Sequence, residues 1–152
     1  MDKKRKSLKR HEALQPLSRH HMIALHLSLK MRRAGTDDEM LPLPELIKEI
    51  DTFWNPDGLV HFREEEEILL TAYAQHVSID EVPEIHDMLI EHVKIRALFG
   101  TILTTEDPTL DTIHSLGIQL EKHVRKEERV IFPMIEKALP EDTLKKVKPY
   151  LH

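Results

Sequence analysis

Apolar residues recur at three- and four-residue steps along four long stretches of this chain, and nowhere do Val, Ile and Thr alternate with polar residues over the length of a strand. Such a pattern commits the chain to helices, each with one buried stripe. The first stripe holds Leu17, His21, Ala24, Leu25 and Leu29; Pro16 suits its first turn, and Gly35, following Arg32 and Arg33, suits its end. The second runs from Leu46, Ile47 and Ile50 to His61, Glu65, Leu69 and Ala72. Asn55-Pro56-Asp57-Gly58 interrupts it, which predicts either a kink or a new helix capped by Asn55. Ser78 and Glu81 have capping-box spacing ahead of a third stripe of Leu89, His92, Ile95, Phe99 and Ile102. Asp107-Pro108 reads as the start of a fourth, with Ile113, Leu116, Leu120, His123, Glu127, Ile131 and Met134. Residues from Pro140 to His152 leave room for a short extra terminal helix. Only 4 glycines in 152 residues agree with long helices. The expected fold is all-α, an antiparallel up-down four-helix bundle over residues 13–152, preceded by a basic arm over residues 1–12.

Composition narrows the function classes. A net charge of −5, from 22 basic and 27 acidic residues, argues against a nucleic-acid binder. The absence of cysteine excludes disulfides, iron–sulfur clusters and thiolate zinc sites. No apolar run reaches the ~18 residues of a membrane span, and the basic N-terminus lacks the apolar segment of a secretory signal, so the expected compartment is the cytoplasm with no membrane partner.

The chain carries 11 histidines. The informative ones break the apolar stripes. His61 and Glu65 on the second stripe, and His123 and Glu127 on the fourth, are spaced by slightly more than one helical turn, so each pair projects to one side. The two segments repeat at a fixed offset: His61-Phe62-Arg63-Glu64-Glu65-Glu66 matches His123-Val124-Arg125-Lys126-Glu127-Glu128 at four of six positions. His92 lies on the third stripe between Leu89 and Ile95, whereas His86 lies off it. On the first helix two readings stand. His21 sits squarely between Leu17 and Leu25, while His20-x-x-Ile23 parallels His92-x-x-Ile95.

A lone inward histidine is usually a core residue with one hydrogen bond. Several inward histidines with two inward carboxylates are different. Burying each carboxylate costs several kcal/mol unless positive charge compensates it. A metal pair supplies that charge, and imidazole with carboxylate suits iron, with manganese or zinc as lesser alternatives. The remaining candidates read as structural. His76 with Asp80 falls at a helix end; His26, His114 and His152 have no carboxylate on a common face; the run Glu64 to Glu67 is a solvated face apart from Glu65. Trp54 reads as a core or kink residue, and Phe62, Phe99 and Ile131 as an apolar lining. No glutamate stands three residues before any histidine, which argues against a ferritin-like site.

The segments Leu17-Ser18-Arg19-His20-His21, His61-Phe62-Arg63-Glu64-Glu65, Glu91-His92-Val93-Lys94-Ile95-Arg96 and His123-Val124-Arg125-Lys126-Glu127-Glu128, with Phe132-Pro133 after the last, occur in this order. Together they resemble the hemerythrin-like family, the HHE cation-binding domain, over nearly all of residues 13 to 139. The resemblance implies a pair of iron ions held by His21, His61, Glu65, His92, His123 and Glu127, and it favours His21 over His20. The sequence departs from the oxygen-carrying hemerythrins: Met88 stands where they have a second third-helix histidine, and the fourth helix has His123 and Glu127 in place of their His and Asp spaced by five. One imidazole fewer leaves more open coordination positions. The expected function is therefore binding or sensing of a small diatomic ligand, dioxygen or nitric oxide. The alternatives are a di-iron enzyme acting on peroxide or oxygen, and an iron-linked regulatory or interaction module. A homo-oligomer is compatible with all three.

Overall fold

The computed structural model describes residues 9–152. The part of the basic arm with Lys3, Lys4, Arg5 and Lys6 lies outside the described residues. A single 3₁₀ turn, Glu12–Leu14, leads into helix α1, Gln15–Arg33, with Pro16 in its first turn. Lys30, Arg32 and Arg33 in the last turn face the negative end of the helix dipole. Gly35 then adopts φ +71°, the left-handed region that favours glycine.

Helix α2 spans Leu43–Phe53. The turn Trp54–Gly58 comes next, with Asn55 outside helical geometry at φ −110°, ψ 111°. The interruption is thus a kink. The Asn55 side chain donates back to Asp51 Oδ1 at 2.8 Å rather than capping a new helix. The run resumes as α3, Leu59–Glu64, widens into a π turn at Glu65–Leu69, and ends in α4, Leu70–Ala74. Helix α5 covers Pro83–Thr104. The expected capping box does not form: Ser78 precedes a short 3₁₀ turn, Ile79–Glu81, makes no capping bond, and Pro83 opens the helix instead. Helix α6 covers Leu110–Lys126 and starts two residues later than Asp107-Pro108 suggests, because the Thr109 hydroxyl accepts from Thr112 N. A second π turn, Glu127–Ile131, joins it to α7, Phe132–Ala138. The short terminal helix is present as α8, Glu141–Val147, and buries Leu144 and Val147.

The π turns change the register of the buried stripe. A turn holding one extra residue moves the next inward position along by one. Ile135 is therefore fully buried where a strict helical count places Met134, which is only partly covered. Both wide turns begin at the glutamate of a His-x-x-x-Glu pair, at the same place in the two copies of the repeat.

Helix α1 packs along α6, where Gly117 lets the backbones close: a Cβ there would stand 3.0 Å from Ser28 O. The apolar interior divides into two clusters. One contains Leu14, Leu17, Leu69, Met88, Ile131, Phe132 and Ile135; the other contains Ala24, Leu27, Trp54, Phe62, Ile95, Phe99, Leu120 and Val124. Buried histidines mark the junction of the two, His21 between Leu17 and Ala24, and His92 between Met88 and Ile95. No strand occurs among the described residues, and no described helix is long and apolar enough to cross a membrane.

Candidate metal centre

The polar layer between the two apolar clusters brings together all six residues singled out in the sequence. His21, His61, Glu65, His92, His123 and Glu127 are each at most 4% exposed. They form two groups of four, His21, His61, Glu65 and Glu127 in one and Glu65, His92, His123 and Glu127 in the other. Within each group the donor atoms lie within 4.8 Å of one another, and both glutamates belong to both groups. Glu65 turns Oε2 to His61 Nε2 at 2.9 Å and Oε1 to His92 Nε2 at 3.1 Å. Glu127 turns Oε1 to His21 Nε2 at 2.8 Å and Oε2 to His123 Nε2 at 2.9 Å. Each carboxylate therefore spans the two halves.

Outside this set stands a ring of carboxylates that holds the imidazoles from behind. His21 Nδ1 donates to Glu128 Oε2 at 2.6 Å, His92 Nδ1 to Glu66 Oε2 at 2.6 Å, and His123 Nδ1 to Glu91 Oε1 at 2.8 Å. With the proton on Nδ1, each Nε2 lone pair points inward. A cation anchors each of these glutamates in turn: Arg10 on Glu128 at 3.3 Å, Arg96 on Glu66 at 2.8 Å and Lys126 on Glu91 at 2.9 Å. His61 is the exception, since its Nδ1 is buried without a partner among the described residues.

Sequence reasoning misses Glu66, Glu91 and Glu128. The run Glu64 to Glu67 reads as solvated beyond Glu65, yet Glu66 holds His92, and Glu64 is buried and bound by the backbone N and the Nδ1 of His152, both at 2.8 Å. The usable signal lies in the repeat, where Glu66 and Glu128 come directly after the two inward glutamates in register. A residue one step past an inward position points about 100° away, toward the neighbouring helix. The other histidines stay apart from the centre. His86 and His114 bond the carbonyls of Ile79 and Ala34, and His76 meets the Thr143 hydroxyl at the surface. His20 does not point its nitrogens into either group; it stacks on Phe53 and His61 with centroids 5.0 and 4.7 Å apart. Phe62 stacks on His92 at 3.9 Å, and Phe99 on Trp54 at 4.2 Å. Ile131, expected in the same lining, belongs to the opposite apolar cluster.

The electrostatics follow from this packing. Burial alone pushes the His123 imidazole down, but Glu127 and Glu91 outweigh it and raise its pKa to about 9. The same contest, won by Glu127, Glu65 and Glu66, raises His92 to about 11. His21 is raised as well, burial being overcome by Glu127, Glu128 and Glu65. Burial and Glu127 push Glu65 up, yet His61 and His21 bring it down to about 2. Glu127 is lowered too, because His123, His21 and His92 overcome its burial.

A cation fits this donor set. Both oxygens of Glu65, Glu127 Oε1 and His123 Nε2 are buried without a well-aligned hydrogen bond, although nitrogens and oxygens crowd within about 3 Å. Imidazole nitrogens and carboxylate oxygens that converge on shared points inside the fold offer a metal its ligands once the imidazoles give up their inner protons. Imidazole with carboxylate and no sulfur is the chemistry of iron, manganese or zinc. No curated protein and no solved structure matches the chain. The family model of the hemerythrin HHE cation binding domain matches residues 12–135, and the chain belongs to that family.

Proposed function

We propose that this chain is a non-haem di-iron protein that binds or senses a small diatomic ligand, dioxygen or nitric oxide. The six ligands in this reading are His21, His61, Glu65, His92, His123 and Glu127, with the two glutamates shared between the metals. The observation that carries it is the pair of four-residue groups joined through both carboxylates of one buried layer. Iron, when bound, supplies the redox-active electrons with which a diatomic ligand forms a reversible bond.

The chain's own residues do the rest. Glu66, Glu91 and Glu128 fix the imidazole planes and keep the Nδ1 protons. Beside His21, His61 and His123 lies a cavity of about 10 Å³, room for one water-sized molecule. Its walls include Trp54, Phe62, Phe99 and Leu120, an apolar lining that favours a small, weakly polar guest. The wider reading is an antiparallel up-down bundle over residues 13–152 with a basic arm over 1–12, working in the cytoplasm. Short connectors between long helices support the topology.

The test is elemental analysis of protein purified from its own host, then visible spectra of the anaerobically reduced protein exposed to air or nitric oxide. Two iron ions per chain with a ligand-dependent band are expected. Iron-free protein that gains no such band after iron-rich expression overturns the proposal.

A further inference from the structure

The small cavity beside the histidines has one wall that it shares with the outside. His20 and Phe53 line both this cavity and an outer groove between α1 and α2 that also holds Ile23, His26 and Glu49. His20 and His61 line both the cavity and a second outer groove, with Pro16, Arg19 and Val60. The rings Phe53, His20 and His61 form one continuous stack, with interplanar angles of 22° and 24° at successive contacts. His20 therefore stands where the inner space meets both outer grooves.

We propose that His20 is the gate through which a small apolar molecule reaches the metal centre. Three further observations favour movement here. His20 is half-buried, as is its stacking partner Phe53, whereas Trp54, Phe62, Phe99 and Leu120 are at 6% exposure or less. Its ring is held by stacking on Phe53 and His61, with no side-chain hydrogen bond among the described residues. Its inner neighbour, His61, is the one histidine of the four whose Nδ1 has no carboxylate behind it, so the two rings can shift together. Rotation of His20 toward the outer groove opens the stack without disturbing the anchored imidazoles. The identity of the traveller rests on the function proposed above; the route itself does not.

The chain's single tryptophan makes the route measurable, because Trp54 lies on the cavity wall at 6% exposure. The experiment is lifetime quenching of Trp54 fluorescence by dissolved dioxygen in the zinc-loaded protein. Wild type is compared with His20→Ala, His20→Phe and Leu120→Ala, the last enlarging the cavity on a wall that neither of these outer grooves shares. His20→Ala should raise the bimolecular quenching constant at least threefold, while His20→Phe stays within twofold of wild type and Leu120→Ala rises less than His20→Ala. An unchanged constant in His20→Ala overturns the gate, and so does an equal rise in Leu120→Ala, which would mean general loosening. In parallel, iron-loaded His20→Ala should bind and release nitric oxide faster by the same factor, leaving affinity nearly constant. Wild-type iron protein that ignores nitric oxide would sink the proposed ligand while the quenching result still decides the route.

Discussion

Replacing Glu66 by alanine tests whether the outer carboxylates matter to the metal or merely decorate the bundle. Glu66 accepts from His92 Nδ1 at 2.6 Å, and His92 is fully buried. Removing the acceptor leaves a buried N–H unsatisfied, a cost of about 1–3 kcal/mol. Loss of a carboxylate behind a ligand histidine typically weakens metal binding about 10–100-fold, equivalent to about 1.4–2.8 kcal/mol. The first cost falls on the folded chain with or without metal, whereas the second is read in metal affinity. Arg96, the other partner of Glu66, is 31% exposed and can rehydrate, so it adds little. The neighbouring Glu67 is the control: it is 61% exposed and pairs with Arg63 on the surface. Ferrous affinity, measured anaerobically by competition with a chromophoric chelator, should fall 10–100-fold in Glu66→Ala and less than twofold in Glu67→Ala. Matching affinities in the two variants, with both folded by circular dichroism, would refute the idea that the carboxylate ring orients the imidazoles.

Metal content by elemental analysis should collapse in His61→Ala and His123→Ala but not in His76→Ala or His114→Ala, whose rings bond Thr143 and the Ala34 carbonyl; equal losses in all four would mean a different site. The metal-free protein should lose stability as pH rises from about 6.5 to about 9, because the His123 pKa is raised in the fold and its contribution, complete below the unfolded value, fades through the folded one. Metal affinity should rise across that same window, since a ligand imidazole must give up its proton; urea midpoints and chelator titrations at matched pH report the two opposite slopes. Gly58→Ala should cost about 1–3 kcal/mol in denaturant unfolding, because a Cβ there meets the Trp54 ring at 2.4 Å and that ring is clamped by its stack on Phe99. An unperturbed midpoint would mean that the indole shifts freely.

The features legible in the sequence are those set by one helix at a time. His61 with Glu65, and His123 with Glu127, declare themselves because four-residue spacing holds within a helix whatever it packs on. His92 stands out because it interrupts an apolar stripe. The features that escape depend on a second helix. Glu66, Glu91 and Glu128 look solvated in isolation, and only the neighbouring helix supplies the imidazole each one meets. A strict helical period selects Met134 over Ile135 because it cannot anticipate a π turn. The starts of α5 and α6 move for a similar local reason: Pro83 and Thr109 outcompete the Ser78 and Asp107 signals. His20 and His21 cannot be told apart by spacing alone, since both lie one turn from apolar residues. Packing separates them, placing one among the inward donors and the other in an aromatic stack.

The charges around the centre explain why a small bundle tolerates five carboxylates so close together. Glu65 and Glu127 lie innermost, with Glu66, Glu91 and Glu128 behind them. Arg10, Arg96 and Lys126 offset the outer three, which leaves the inner pair without a fixed counter-charge. In the metal-free fold the compensation falls to protons on His21, His92 and His123, which is why all three are driven upward while Glu65 and Glu127 are driven down. Metal and protons thus compete for one pair of buried carboxylates. Loading of the proposed centre should therefore release protons into solution at neutral pH. His61 stands outside this arrangement, lacking the carboxylate that the other three imidazoles have behind them. Of the four imidazoles in the proposed centre it is therefore the one the scaffold restrains least, and it lines both the inner cavity and the outer groove that holds Pro16, Arg19 and Val60.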